Sequence, residues 1–179
     1  MKIKFLYIMA LLMLSISCNE KSVQLNDIFL ECYDSKYQKE GVEIKTIIND
    51  YEKLLVKDGI LKDNSGKSYL EVYQKIASNK NFRIQSRRFM EFDPLFKVDN
   101  ETKMAIFKCE VDMTELAQQQ DSKWHKVFGK TKSQEIKENP ELMYQTMVES
   151  LSKDDLNSYY FKLKMFNLFD MVNVQAFVE

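Results

Sequence analysis

The segment AIFKCEVDM, residues 105–113, decides how this chain is read. Ala105, Phe107, Cys109, Val111 and Met113 alternate with Lys108, Glu110 and Asp112. A period of two residues puts such apolar side chains on one face of a strand, and this is the clearest strand pattern in the sequence. Upstream, Phe82, Ile84, Met90 and Phe92 share one parity, interrupted by Ser86 and Arg88, and Asp93-Pro94 ends the run. The turn residues Asp99-Asn100-Glu101-Thr102 lie between the two segments, so an antiparallel pair of strands is expected.

Elsewhere the apolar spacing is helical. Leu25, Ile28, Phe29, Cys32, Tyr33 and Tyr37 form one stripe, which resumes after Gly41 with Ile44, Ile47, Ile48, Tyr51, Leu54 and Leu55. Gly41 costs a helix about 1 kcal/mol relative to Ala, enough to split or bend it. Asp58-Gly59 closes the second half. Asp63-Asn64-Ser65-Gly66 is a turn, and Ser68 with Glu71 forms a capping box for a third helix. Asp112 with Glu115 boxes a helix carrying Leu116, Trp124, Val127 and Phe128, stopped by Gly129. Asn139-Pro140 starts another with Leu142, Met143, Met147 and Leu151. Ser152 and Asp155 start a last one through Leu156, Tyr159, Tyr160, Leu163 and Phe166. Val172, Val174, Ala176 and Val178 alternate as a short terminal strand. The expectation is an α+β fold: a predominantly helical single domain, residues 26–179, with a small antiparallel sheet.

The chain opens with Lys2 and Lys4 and a run, FLYIMALLMLSI at residues 5–16, that is apolar except for Ser15. As a helix this run is roughly 18 Å long, too short to cross a hydrocarbon core of about 30 Å. A basic start, a short apolar stretch and small residues are the layout of an export signal. The end of the run, Leu14-Ser15-Ile16-Ser17-Cys18, resembles the lipobox of bacterial lipoproteins. The resemblance covers only the first twenty or so residues and departs from the family at Ser15, where Leu is preferred. It implies that residues 1–17 are a signal peptide, that Cys18 carries a lipid, and that residues 18–25 are a tether in the cell envelope. Asn19 after the Cys favours the outer membrane over the inner one in bacteria that use Asp there as a retention signal. Ser15-x-Ser17 also fits the cut of an ordinary secretory signal, which would leave a soluble periplasmic or secreted chain.

Removing residues 1–17 takes two lysines from 26 basic residues, against 27 acidic ones. That near balance argues against a nucleic-acid partner. A chain of about 160 residues buries about 70 % of its unfolded surface, enough for one core without metals or staples. DNSGKS, residues 63–68, fails as a phosphate loop because Leu61 stands where a Gly is needed. It fails as a calcium loop because Leu61 and Val72 stand at the first and twelfth positions. No cofactor loop and no zinc ligand set is present in the sequence.

Three groups remain as candidates. His125 is the single histidine and could act as a base with a distant Ser or with Cys32 or Cys109. Cys32 and Cys109 form a pair that either bridges in an oxidising compartment or stays as two buried thiols. Arg83, Arg87 and Arg88 are the only arginines in the chain and lie within six residues. Planar guanidinium groups grip carboxylates and phosphates bidentately, so the cluster is a candidate anion or partner site, unless it only solvates a face. The reading is a lipid-anchored, non-enzymatic envelope protein that binds a protein partner or a small anionic or apolar ligand. The alternative is an exported hydrolase built on His125.

Overall fold

Residues 159–174 are rich in large apolar side chains, with Tyr160, Phe161, Leu163, Met165, Phe166, Leu168, Phe169 and Val172 all buried. A helix this rich in apolar side chains has to be covered, and the rest of the chain covers it except along the face of Lys164, Asn167 and Met171. In a computed structural model of the protein, residues 17–79, 81–93, 95, 97–120, 122–131 and 141–174 are described. They form α1 (Ser17–Tyr37), α2 (Ile44–Lys57), α3 (Gly66–Ser78), α4 (Asn100–Gln119), α5 (Lys123–Thr131), α6 (Glu141–Ser150) and this apolar helix, α7 (Tyr159–Val174). Short 3-10 turns lie at Gln38–Glu40, Phe89–Glu91 and Asp155–Asn157.

Among the described residues there is no strand, so the expected antiparallel sheet is corrected to an all-helical fold. Residues 105–113 are the middle of α4, whose first turn is capped by Asp99 accepting from the Thr102 N–H at 2.7 Å. The misreading has a geometric cause. Ala105, Cys109 and Met113 are four apart, which satisfies both a two-residue and a 3.6-residue period. Ile106, Phe107 and Val111 separate the two readings: in the helix Ile106 turns inward, and Phe107 and Val111 turn outward. The second expected strand, 82–92, is irregular chain ending in a 3-10 turn. The terminal strand is also corrected in part: Val172 and Val174 belong to α7, and residues 175–179 lie outside the described residues. Pro140 and the expected cap at Asn139 lie outside them too, as do residues 1–16.

Several helix starts shift as well. Ser65, not Ser68, caps α3, accepting from the Ser68 N–H at 3.4 Å. Ser68 instead accepts from the Lys62 N–H at 2.7 Å and folds the preceding turn. Asp112 and Glu115 start no helix, since α4 runs through them; α5 begins after Ser122. Gly41 does split the first stripe, at φ +64°. Gly66 is needed for close approach: a Cβ there would run into the Lys153 carbonyl, while its N–H donates to Asn157 at 3.0 Å. α1 begins at Ser17 and so takes in residues 18–25, expected as a tether.

Two polar ties set α7 against its neighbours. Lys162 is buried and its Nζ lies 2.6 Å from Glu52 Oε1 on α2, while the Tyr69 hydroxyl of α3 donates to the same oxygen at 2.8 Å. The Lys162 ammonium also sits 5.8 Å from the Tyr69 and Tyr159 ring centroids. Three helices thus share one ion pair, and breaking a buried pair leaves an uncompensated charge. Asp170 of α7 accepts from the Phe89 and Met90 N–H groups at 2.8 and 3.0 Å, which holds the irregular segment onto the helix. There Phe89, Tyr51 and Phe166 pack edge-on or tilted with centroids 4.8–5.2 Å apart.

Two neighbouring tyrosines of α3 are expected to respond in opposite ways. Tyr69→Phe removes a hydrogen bond to a buried carboxylate and should cost about 2 kcal/mol in urea denaturation. Tyr73 is fully buried and its hydroxyl has no hydrogen-bond partner among the described residues, so Tyr73→Phe should be neutral or stabilising.

Candidate interaction site

α4 is pinned to α1 by chemistry from two adjacent residues on each helix. Cys32 and Cys109 form a disulfide with their Cα atoms 6.0 Å apart. The next residues continue the contact: the Tyr33 hydroxyl donates to Glu110 Oε1, and Lys164 of α7 pairs with Glu110 Oε2. Glu110 therefore receives groups from two helices at once. Burial pushes the Lys164 ammonium down to about 8, and the Glu110 carboxylate against it works in the opposite sense. Burial also raises Tyr33, helped by nearby Tyr37 and Asp93, so it stays a neutral donor. Asp93 itself is raised by burial and accepts from the Tyr37 hydroxyl at 3.2 Å and the Leu95 N–H at 2.9 Å.

The helices run antiparallel. α4 leaves the segment in which Asp93 meets Tyr37, at the end of α1. Beyond its other end, Lys123 pairs with Asp155 at 2.6 Å, just before α7, and the Tyr159 N–H donates at 2.8 Å to Asn26, in the middle of α1 and on the Cys18 side of Cys32.

This clamp fixes the rotation of α4. Thr102, Ile106, Cys109, Met113 and Ala117 face inward at spacings of three and four. On the opposite side Met104 is 65 % exposed, Phe107 62 % and Val111 39 %. These three are also spaced by three and four, so the helix carries a second apolar stripe that lies open to water among the described residues. The exposed Lys108 pairs with Asp112 at 2.7 Å beside it. Sequence reasoning misses this surface because a two-residue period puts Phe107 and Val111 on the same face as Cys109 and Met113. Two interleaved apolar stripes after an Asp99–Thr102 cap are the signal that could have found it.

The residues singled out from sequence do not gather at the stripe or with one another. Cys18 lies in the first turn of α1. Arg87 pairs with Glu91 at 3.0 Å and lies 4.7 Å over the Phe92 ring. Glu91 also accepts from the Arg88 N–H at 3.2 Å, and Arg83 donates to the Phe82 carbonyl at 2.9 Å. The Arg87 carbonyl accepts from the Tyr51 hydroxyl at 2.9 Å, so the arginines are woven into the irregular segment. Arg87 is exposed while Arg83 and Arg88 are half-buried. His125 is half-buried on α5, and its own N–H donates to Ser122 Oγ at 3.2 Å, making Ser122 a helix cap. The disulfide withholds Cys32 and Cys109 as thiol partners for His125. No cluster of metal-binding side chains occurs among the described residues. Known protein families, curated proteins and solved structures contain no match to this chain.

The disulfide closes a span of 77 residues, for which the chain-entropy model gives about 4.5 kcal/mol. Adding a dithiol reductant should therefore lower the urea midpoint of the wild type by the equivalent of about 2–4 kcal/mol. The Cys32→Ser/Cys109→Ser double variant should already sit at that lower midpoint and ignore the reductant.

Proposed function

We propose that this is a lipid-anchored, non-enzymatic protein of the cell envelope that binds a protein partner through the outward stripe of α4. The observation that carries the reading is the pairing of Met104 and Phe107, each more than three-fifths exposed, on a helix whose other face is covalently clamped. Large apolar side chains presented together on a rigid element are a costly surface to leave in water, and they provide the anchor that an interface needs. No described helix is long and apolar enough to cross a membrane, so attachment in this reading falls to the lipid on Cys18. Stable attachment would come from two or three acyl chains, each buried CH₂ adding about 0.8 kcal/mol. Asn19 favours the outer membrane. The anion site at the three arginines receives less support, because Glu91 already occupies Arg87.

Two measurements test the two halves separately. Intact-mass analysis of the membrane fraction should find a diacylglyceryl Cys18 at the mature N-terminus, and Cys18→Ser should abolish that modification. An unmodified mature chain in the soluble fraction would replace the lipoprotein by an ordinary secreted protein. A photo-crosslinking residue at position 107 should trap one discrete protein in intact cells, whereas the same residue at position 53, an exposed site on α2, should not. Equal capture at both positions would remove α4 as the docking surface.

A further inference from the structure

The stripe extends into a longer seam. Asn100, Met104, Phe107, Val111, Thr114 and Gln118 are all exposed and follow one another at spacings of four and three. That is the seam of a helix made to pair with another helix, with the apolar residues in the middle and no charge within it. One edge of the seam is occupied already, since Glu110 is turned in toward Tyr33 and Lys164. The other edge is open and carries Glu101, Lys108 and Glu115, each exposed and each seven residues from the next. Heptad spacing places these three in one row beside the seam, where flanking charges select the partner of a helix pair.

We infer that α4 receives an amphipathic helix of a different protein, one with an apolar seam and a basic–acidic–basic row facing Glu101, Lys108 and Glu115. This rests on the reading of α4 as a docking surface and adds what docks there. Charge disfavours a second copy of this chain in the one pairing that overlaps the two helices along their whole length, and the one-heptad shift that would set Glu101 against Lys108 keeps only about half of the seam. In the antiparallel register that stacks Phe107 on Val111 of the other copy, Lys108 meets Lys108 and Glu101 meets Glu115. Every pair along the open edge is then like-charged, the arrangement that disfavours a partner. Geometry and charge also decide against a lipid surface. Cys109 lies level with Cys32, which is about 21 Å along α1 from Cys18 at 1.5 Å per residue. Phe107 and Met104 lie farther still, because α4 runs antiparallel to α1. Two carboxylates on the open edge would also be repelled by anionic headgroups. The Lys108–Asp112 pair is no obstacle, since an exposed pair is worth little and can be exchanged.

The probes are two designed 21-residue helical peptides with leucine at the seam positions. One has Lys-Glu-Lys along the edge row and the other Glu-Lys-Glu. Their binding is read by fluorescence anisotropy on the full chain in nanodiscs, with empty nanodiscs of the same lipid as the baseline. The Lys-Glu-Lys peptide should bind about 5-fold or more tightly than the other at low salt, with the gap narrowing as salt rises. The variant Glu101→Lys/Lys108→Glu/Glu115→Lys should reverse the order. Phe107→Ser and Met104→Ser, both at exposed positions, should weaken both peptides, with circular dichroism confirming the fold. Equal binding of the two peptides, still lost in Phe107→Ser, overturns the charge-selected partner and leaves the docking surface standing. Binding that ignores both serine variants overturns the surface as well. A dimer in sedimentation equilibrium that Phe107→Ser dissolves makes the occupant a second copy, and binding to empty nanodiscs equal to that on loaded ones makes it lipid. Either result overturns the inference.

Discussion

The rotation of α4 about its own axis is the constraint on which the exterior of this protein depends. A twenty-residue helix with apolar side chains on two sides could settle on α1 with either stripe inward. The Cys32–Cys109 bond and the convergence of Tyr33 and Lys164 on Glu110 choose between them. Both features belong to the same turn of α4, so they act as one clamp at mid-length. A hydrophobic contact alone is non-directional and would discriminate weakly between stripes of similar area. A covalent bond and a half-buried carboxylate with two partners are directional. They cover Ile106 and Met113 and leave Phe107 and Met104 in water.

The same use of directional polar groups recurs in the interior. α7 is apolar enough to be buried in many orientations, yet Lys162 and Asp170 each find their partners in only one. Lys162 ties α7 to α2 and α3 through Glu52 and Tyr69. Asp170 ties it to the chain at Phe89 and Met90. Buried charges of this kind need not add net stability, because desolvation offsets the attraction. In a bundle whose core is dominated by interchangeable aromatic rings, their contribution is to single out one packing. The antiparallel pairing of α1 and α4 then carries Met104 and Phe107 away from the Cys18 end of α1, so the proposed anchor and the proposed docking surface do not compete.

Much of the helical framework was legible in the chain. The stripes of α1 and α2, the split at Gly41 and the closing turn at Asp58-Gly59 follow from apolar spacing and glycine chemistry, both local properties. The two strands were misread because local pattern is degenerate where apolar residues recur every four positions. Ala105, Cys109 and Met113 fit either period. At 82–92 the alternating residues are real, but the segment is held by long-range ties, Ser86 to Asp58, Tyr51 to Arg87 and Asp170 to Phe89, which no sequence window contains. The arginine cluster stood out by residue type, and its partners Glu91 and Phe92 were only a few residues away.

What the sequence by itself determined is the amphipathic character of α1, α2 and α3, the near-neutral charge, the absence of cofactor and metal motifs, and a start that resembles a lipoprotein signal. These depend on residue type and spacing within a few turns. Only the tertiary structure decided which of the two apolar stripes on α4 is core and which is surface. That choice is made by contacts 77 residues apart, between Cys32 and Cys109 and between Tyr33 and Glu110, and by a third across to Lys164. A stripe of Met, Phe and Val reads as core in any sequence. Its exposure is a property of the neighbours that the fold withholds from it.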